Sequence, residues 1–179
     1  MDPNLDSSEE AIGSAGSRAE FEARLQSILE DLRSHLDTSR TTLRVDIPKW
    51  GVDVDQPVAE ALEPGIASIR GASIDQRSLA TVKHLDQVRH ILIHDDCASA
   101  EPAPPQALLD VYGVKAQMLA PLVREGKLAG WISAHYTRST RHWKQRDVAF
   151  LKEAVSKVQR VLTGIDALVG NPEARKESN

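Results

Sequence analysis

His90 and His94 flank Leu92 in an apolar stretch that runs straight into Asp95, Asp96 and Cys97. Residues four apart on a strand share a face, and imidazoles beside carboxylates can hold a single metal ion. Ligand pairs on strands sit more naturally two apart, so a strand end running into a polar loop accounts for the same residues more simply. Cys97 is the one cysteine in the chain, and the acids beside it should raise its thiol pKa and slow thiolate chemistry. His84 lies one position from the apolar row Leu79, Val82, Leu85 and Val88, which places its imidazole either beneath that helix or half exposed at its side. His135 shares a strand face with Trp131 and Ser133, while Ile132, Ala134 and Tyr136 take the other face. Arg138, Arg141 and His142 follow as a short basic cluster that could steer an anion or simply be solvated. The chain contains no glycine-rich phosphate loop, no HExxH and no nucleophile elbow.

Two long helices and a set of strands must position these groups. Ser17-Arg18-Ala19-Glu20 has capping-box spacing, and Phe21, Leu25, Ile28, Leu29, Leu32 and Leu36 then form one helical stripe. At the other end, Val148, Leu151, Val155, Val158, Leu162, Ile165 and Val169 make an a/d seam, with Phe150, Ala154, Val161 and Leu168 as a second apolar row beside it. A row left over after packing on the chain's own sheet predicts a homodimer through the terminal helices. Between the helices the period changes to two. Thr41 to Ile47 alternates as a half-buried strand, Pro57 to Leu62 predicts a short helix, and Ile66 to Arg70 predicts another strand. Leu79 to Val88 reads as a helix leading into a strand at His90 to His94, and Gln106 to Tyr112 as a short helix stopped by Gly113. Gln117 to Arg124, a turn at Glu125-Gly126 and a return strand Lys127 to Thr137 form a hairpin, in which Pro121 demands an edge or a bulge. The order describes an α+β domain with an antiparallel sheet.

The 179 residues suit one domain, and 44 of them are Leu, Ile, Val or Phe, enough apolar material for a packed core. Residues 1–17 carry four acids, no base and a Gly/Ser-rich stretch, which predicts a disordered acidic arm. The single domain is expected over residues 18–170, with a flexible tail at 171–179. With 22 basic against 26 acidic side chains the net charge is −4 and no basic cluster is large, which argues against a nucleic-acid partner. A lone cysteine suits a reducing, cytoplasmic setting. No apolar run approaches the ~20 residues that span a bilayer, and the acidic opening is unlike a signal peptide, so neither secretion nor a membrane is expected.

Tyr112-Gly113-Val114-Lys115-Ala116-Gln117-Met118-Leu119-Ala120-Pro121-Leu122, followed by Gly126-Lys127-Leu128-Ala129-Gly130-Trp131-Ile132-Ser133-Ala134-His135, resembles the C-terminal half of GAF domains. Arg141-His142-Trp143 with Asp147 is similar to the start of that family's last helix. The resemblance implies a PAS-like, six-stranded antiparallel sheet, with the N- and C-terminal helices packed together on one face and a small-molecule pocket on the other. The segment ending in His135 is most similar to phytochrome GAF domains, whose histidine contacts a bilin. It implies that His135, Trp131 and Ser133 line the pocket, with His135 bonding a carboxylate or nitro group, or a haem-bound molecule. The Asp-Ile-Pro cradle and Cys-His attachment site of bilin-binding relatives are read as having no counterpart, so no covalent bilin is expected. Free-methionine sulfoxide reductases of this family need at least a pair of cysteines, which one cysteine cannot supply.

Haem is the cofactor that the resemblance suggests for His84, as the axial ligand of the iron. Three functions are expected from these features. The first is a dimeric sensor module binding a small molecule or haem, with His84, His135, Trp131 and Ser133 at the site. The second is a small haem-dependent cytoplasmic enzyme on the same fold, for example a lyase acting on a nitro or nitramine compound, with His135 as the catalytic candidate. The third is a degenerate GAF domain whose pocket is filled by its own side chains, acting as a dimerisation unit.

Overall fold

The computed structural model describes residues 6–72 and 74–169. The elements run α1 (Asp6–Leu36), β1 (Arg40–Val45), β2 (Ala59–Leu62), α2 (Ala80–Val88), β3 (Leu92–His94), α3 (Gln106–Asp110), β4 (Ala116–Arg124), β5 (Lys127–Tyr136) and α4 (Gln145–Val169). α1 passes through Ser17, so the expected capping box lies inside the helix. Residues 1–5 of the expected arm and the whole expected tail fall outside the described residues.

Five strands, not the expected six, form one antiparallel sheet among the described residues, in the order β2-β1-β5-β4-β3. Ile66 to Arg70 is an irregular loop where a strand was predicted, and Pro57 to Leu62 supplies the edge strand β2 where a helix was predicted. Both differences trace to Glu60. Its main chain pairs within β2, whose register with β1 runs from Arg40 opposite Leu62 to Leu43 opposite Ala59. On the outer side, the Gln26 side chain of α1 donates to the Glu60 carbonyl at 2.8 Å and accepts from the Glu60 amide at 3.3 Å. The Glu60 carboxylate then takes the Ile69 amide at 3.0 Å and the Ser68 hydroxyl, which removes that segment's donors from any ladder.

α1 and α4 lie together over one face of the sheet. Leu25, Leu29 and Leu36 meet Leu151, Val158 and Leu162 there, above Leu43, Met118 and Ile132 from the central strands. Each such side chain, removed from water, contributes roughly 1.5–3 kcal/mol. Part of the second apolar row of α4 is taken up within the chain: Phe150 packs 5.0 Å from the His35 ring of α1, and Ala154 is buried, while Val161 is partly exposed and the Leu168 side chain lies outside the described residues. α4 starts at a built cap, in which Asp147 accepts from the Lys144 amide at 2.8 Å, Trp143 donates through its indole to the His94 carbonyl at 3.3 Å, and Arg141 lies 4.3 Å from the Trp143 ring.

β1, expected to be half buried, is buried along its whole length because both faces of the sheet are covered. β3 pairs with β4 only at Gln117 to Leu119, so Pro121 lies on an open stretch of β4, one residue before a bulge at Leu122/Val123. β1 and β5 approach closely at Gly130, opposite Val45. A Cβ there would sit 2.6 Å from the Val45 Cα and closer still to the Arg44 carbonyl. Gly130→Ala is therefore expected to destabilise the protein by about 2–3 kcal/mol through forced separation of the strands, read as a lower midpoint in urea unfolding; an unchanged midpoint would show that β1 can yield.

Candidate functional site

The opposite face of the sheet carries the chemistry. α2 lies over it, with Val82 and Leu85 packed against Leu92, Leu119 and Trp131. Beside this apolar cluster is a cavity of about 60 Å³. Arg44, Gln117, Ser133 and His135 of the sheet form a polar wall, Leu79, Val82, Leu119, Leu108 and Trp131 an apolar one, and Gln76 and Thr81 add polar groups beside Leu79 and Val82.

Strand register assembles the polar wall. Arg40 is opposite His135, His135 opposite Gln117, and Gln117 opposite His94, so four polar side chains form one row across β1, β5, β4 and β3. All four are buried. The Arg40 guanidinium donates through Nη1 to His135 Nδ1 at 3.1 Å and through Nη2 to the Ala67 carbonyl at 2.6 Å. An arginine has only donors, so His135 Nδ1 accepts and the imidazole proton is assigned to Nε2. Burial, reinforced by the charges of Arg40 and Arg44, holds the His135 pKa well below the usual histidine value, and the ring is neutral. Gln117 donates to His94 Nδ1 at 3.2 Å, leaving His94 Nε2 buried without a partner. Burial, with His84 nearby, also lowers the His94 pKa.

The two buried guanidinium groups differ in their compensation. Glu60 faces Arg40, with 3.9 Å between Oε2 and Nε, and serves Arg70 as well at 4.0 Å. Arg44 is 5 % exposed and donates through Nη1 to the carbonyls of Val54 and Asp55 at 2.9 and 2.8 Å. Among the described residues no carboxylate lies within 4.0 Å of it. Burial pulls both guanidinium pKa values below the ordinary one, opposed at Arg44 by Asp55 and Glu60.

The residues expected from sequence scatter around this centre. His135, Trp131 and Ser133 line the cavity on one face of β5. His84 is half buried and does not line it. His90 is exposed and precedes β3, whereas His94 is buried within it, so the two do not share a strand face as expected. Asp95 is engaged by the His142 ring at 2.7 Å and the Trp143 amide at 3.2 Å, and no group of three potential metal ligands exists among the described residues. Burial, then Asp96, pushes the Cys97 thiol up to about 12, far from thiolate chemistry at neutral pH. Arg138 pairs with Asp37 and Glu63, and Arg141 with Asp147, so the basic cluster serves the scaffold. Asp46-Ile47-Pro48 does carry the letters of the cradle tripeptide, but it sits in the turn after β1, where Asp46 holds the Val54 amide and Arg77. That turn borders an open groove of about 860 Å³, whose arginines pair with acids: Arg77 with Asp46, Arg89 with Asp86, and Arg124 with Asp166.

Haem does not fit this site. A pocket for even a drug-sized ligand takes ~300–1,000 Å³, the cavity offers about 60 Å³, and the histidine at its wall is bonded to an arginine rather than free for iron. Arg40, Arg44, Gln117 and the burial of His94 were missed from sequence. The alternation Arg40-Thr42-Arg44 against Thr41-Leu43-Val45 resembles a solvent face, and the signal of its burial was the polar set Gln117, Ser133 and His135 on the strands that pair alongside.

Two buried neutral histidines make stability depend on pH. Unfolding takes up protons between the lowered folded values and the ordinary 6.5, so this contribution is complete above pH 6.5 and is lost as pH falls below it. Acidification from pH 7 to 5 should lower stability by up to about 1.4 kcal/mol per pH unit for each histidine, measured by urea unfolding. His135→Asn, which keeps an acceptor for Arg40, should flatten that slope; an unchanged slope would mean that His135 is not held neutral.

Among solved structures, the blue-light-absorbing form of the PixJ GAF domain of Thermosynechococcus elongatus matches with a TM-score of 0.70 at 18 % identity, over 88 % of this chain and 95 % of that one. The phycocyanobilin-bound GAF domain of a cyanobacterial phytochrome matches with a TM-score of 0.65 at 16 % identity, over 97 % of this chain and 100 % of that one. A phycoerythrobilin-bound GAF domain, also of a cyanobacterial phytochrome, gives 0.63 at 17 % identity, over 90 % and 96 %. No curated protein matches the chain. The GAF domain profile matches residues 20–161, most of the chain and every strand of the sheet, and the protein belongs to the GAF domain family.

Proposed function

We propose that the chain is a small-molecule-binding sensor domain whose ligand occupies the cavity between α2 and the sheet. The observation that carries this reading is the convergence of Arg44, Gln117, Ser133 and His135 on one cavity beside an apolar patch around Trp131. Such concave sites with a few convergent polar groups are where ligands are held and oriented. Bilins are bound by two of the similar GAF domains. This cavity of about 60 Å³ does not fit a tetrapyrrole, so the reading is of a much smaller ligand.

The route to a readout is short. Trp131, Ser133 and His135 face the cavity, while Ile132 and Ala134, the residues between them, pack in the core beneath α1 and α4. A ligand that shifts β5 therefore shifts the floor on which the two long helices rest. Association with a second copy through these helices is not needed for this step, which runs within one chain from β5 to α1 and α4. The small size of the cavity favours a second reading, a GAF domain closed by its own side chains and acting through its surface.

Thermal unfolding separates the two. A ligand at one hundred times its Kd stabilises the folded state by about 2.7 kcal/mol, which corresponds to a rise of roughly 5–10 °C in Tm for a domain of this size. A set of charged and neutral molecules of up to about six non-hydrogen atoms should contain some that give such a rise, with the gain lost in Ser133→Leu, whose side chain fills the cavity. A set that leaves Tm unmoved throughout would establish the self-filled reading.

A further inference from the structure

Resting on the sensor reading, we propose that the ligand is a short-chain organic monocarboxylate, with its carboxylate against Arg44 and its alkyl end against Leu79, Val82 and Trp131.

Charge balance is the first argument. A buried charge is ordinarily paired, because leaving water is costly for an ion without a partner. Arg40 has Glu60 opposite it, but Arg44 is 5 % exposed, lines the cavity, and has no carboxylate within 4.0 Å among the described residues. Its two hydrogen bonds go to neutral carbonyls through one nitrogen, Nη1. Asp55 and Glu60 act on Arg44 only from beyond ion-pair distance, so a carboxylate in the cavity would be its nearest counter-charge.

The surrounding groups agree with that sign. With Nδ1 accepting from Arg40, the neutral His135 ring has an N–H at Nε2 to offer, and Ser133 adds a hydroxyl on the same face of β5. Gln117, one strand away, adds an amide. Each can donate to a carboxylate, as can the Thr81 hydroxyl and the Gln76 amide, and no acidic side chain lines the cavity among the described residues.

Size and polarity narrow the class. A water occupies ~10–15 Å³ of such space, so the cavity of about 60 Å³ holds roughly four to six non-hydrogen atoms. Inorganic phosphate is small enough, but its oxygens point in four directions and some would face the apolar side chains of Leu79, Val82 and Leu119 rather than the polar groups. Acetate, propionate and butyrate match both halves of the wall.

Calorimetric titration of the full chain with sodium propionate, propionamide and sodium phosphate tests this. Propionate should bind at least tenfold more tightly than propionamide, which has the same shape and no charge, and at least tenfold more tightly than phosphate. Arg44→Gln should abolish that preference, and Ser133→Ala, which leaves the packing intact, should weaken propionate several-fold. Equal binding of propionate and propionamide, or tighter binding of phosphate, overturns the monocarboxylate while leaving the cavity a ligand site. If none of the three binds but another small neutral molecule does, the monocarboxylate falls and the sensor reading stands. If nothing binds, both fall.

Discussion

Arg40 carries a full positive charge with no exposed surface, and the cavity side of the sheet is organised around meeting its needs. Each group that answers it comes from a different element. His135 accepts from β5, Ala67 from the loop after β2, Glu60 balances the charge from β2, and the Tyr112 ring lies 5.5 Å from the guanidinium carbon. Glu60 then holds Ser68 and Ile69, so the loop that helps wall the cavity is tied to the same charge. A buried network of this kind is stable only when its members stay in place, because removing one strands another without water. The same contact sets the tautomer of His135 and therefore which nitrogen carries a hydrogen toward other partners.

The consequence for function is a division of labour between the two faces. The α1/α4 face is a continuous apolar core, whereas the α2 face mixes an apolar patch with polar side chains whose bonding capacity is not exhausted. Packing of the first kind gives stability. The second kind gives selectivity, since a buried donor or charge that lacks its complement penalises every ligand but the matching one. Arg40 and Arg44 lie four apart on one face of one strand with Thr42 between them, yet among the described residues only Arg40 has a carboxylate within ion-pair distance.

The elements that sequence discloses best are those with a single physical cause. The helical stripes of α1 and α4, the Glu125-Gly126 turn and the α2 segment each follow from a local period or one turn residue, and the structure contains all of them. The errors arise where a long-range contact overrides a local preference. Ala59-Glu60-Ala61-Leu62 has helical composition, but it pairs with β1 and is held from outside by Gln26. The polar wall was half visible, because Trp131, Ser133 and His135 alternate on one strand, while Arg40 and Arg44 look solvated until the covering of both faces is known. His84 sits beside the apolar row of its own helix, whereas the polar wall of the cavity is set by how β1, β5 and β4 align.

The two borders of the sheet carry a consequence for behaviour at high concentration. An open strand border exposes main-chain donors and acceptors that can recruit a strand from another molecule. On the β2 side the amide and carbonyl of Glu60 are already taken by Gln26. On the β4 side, past the short partner β3, the exposed run has Pro121 where a donor would be and a bulge directly after it. Neither β2 at Glu60 nor the open stretch of β4 thus offers a continuous template for edge-to-edge growth, which leaves the three residues of β3 as the shortest of landing places on that side.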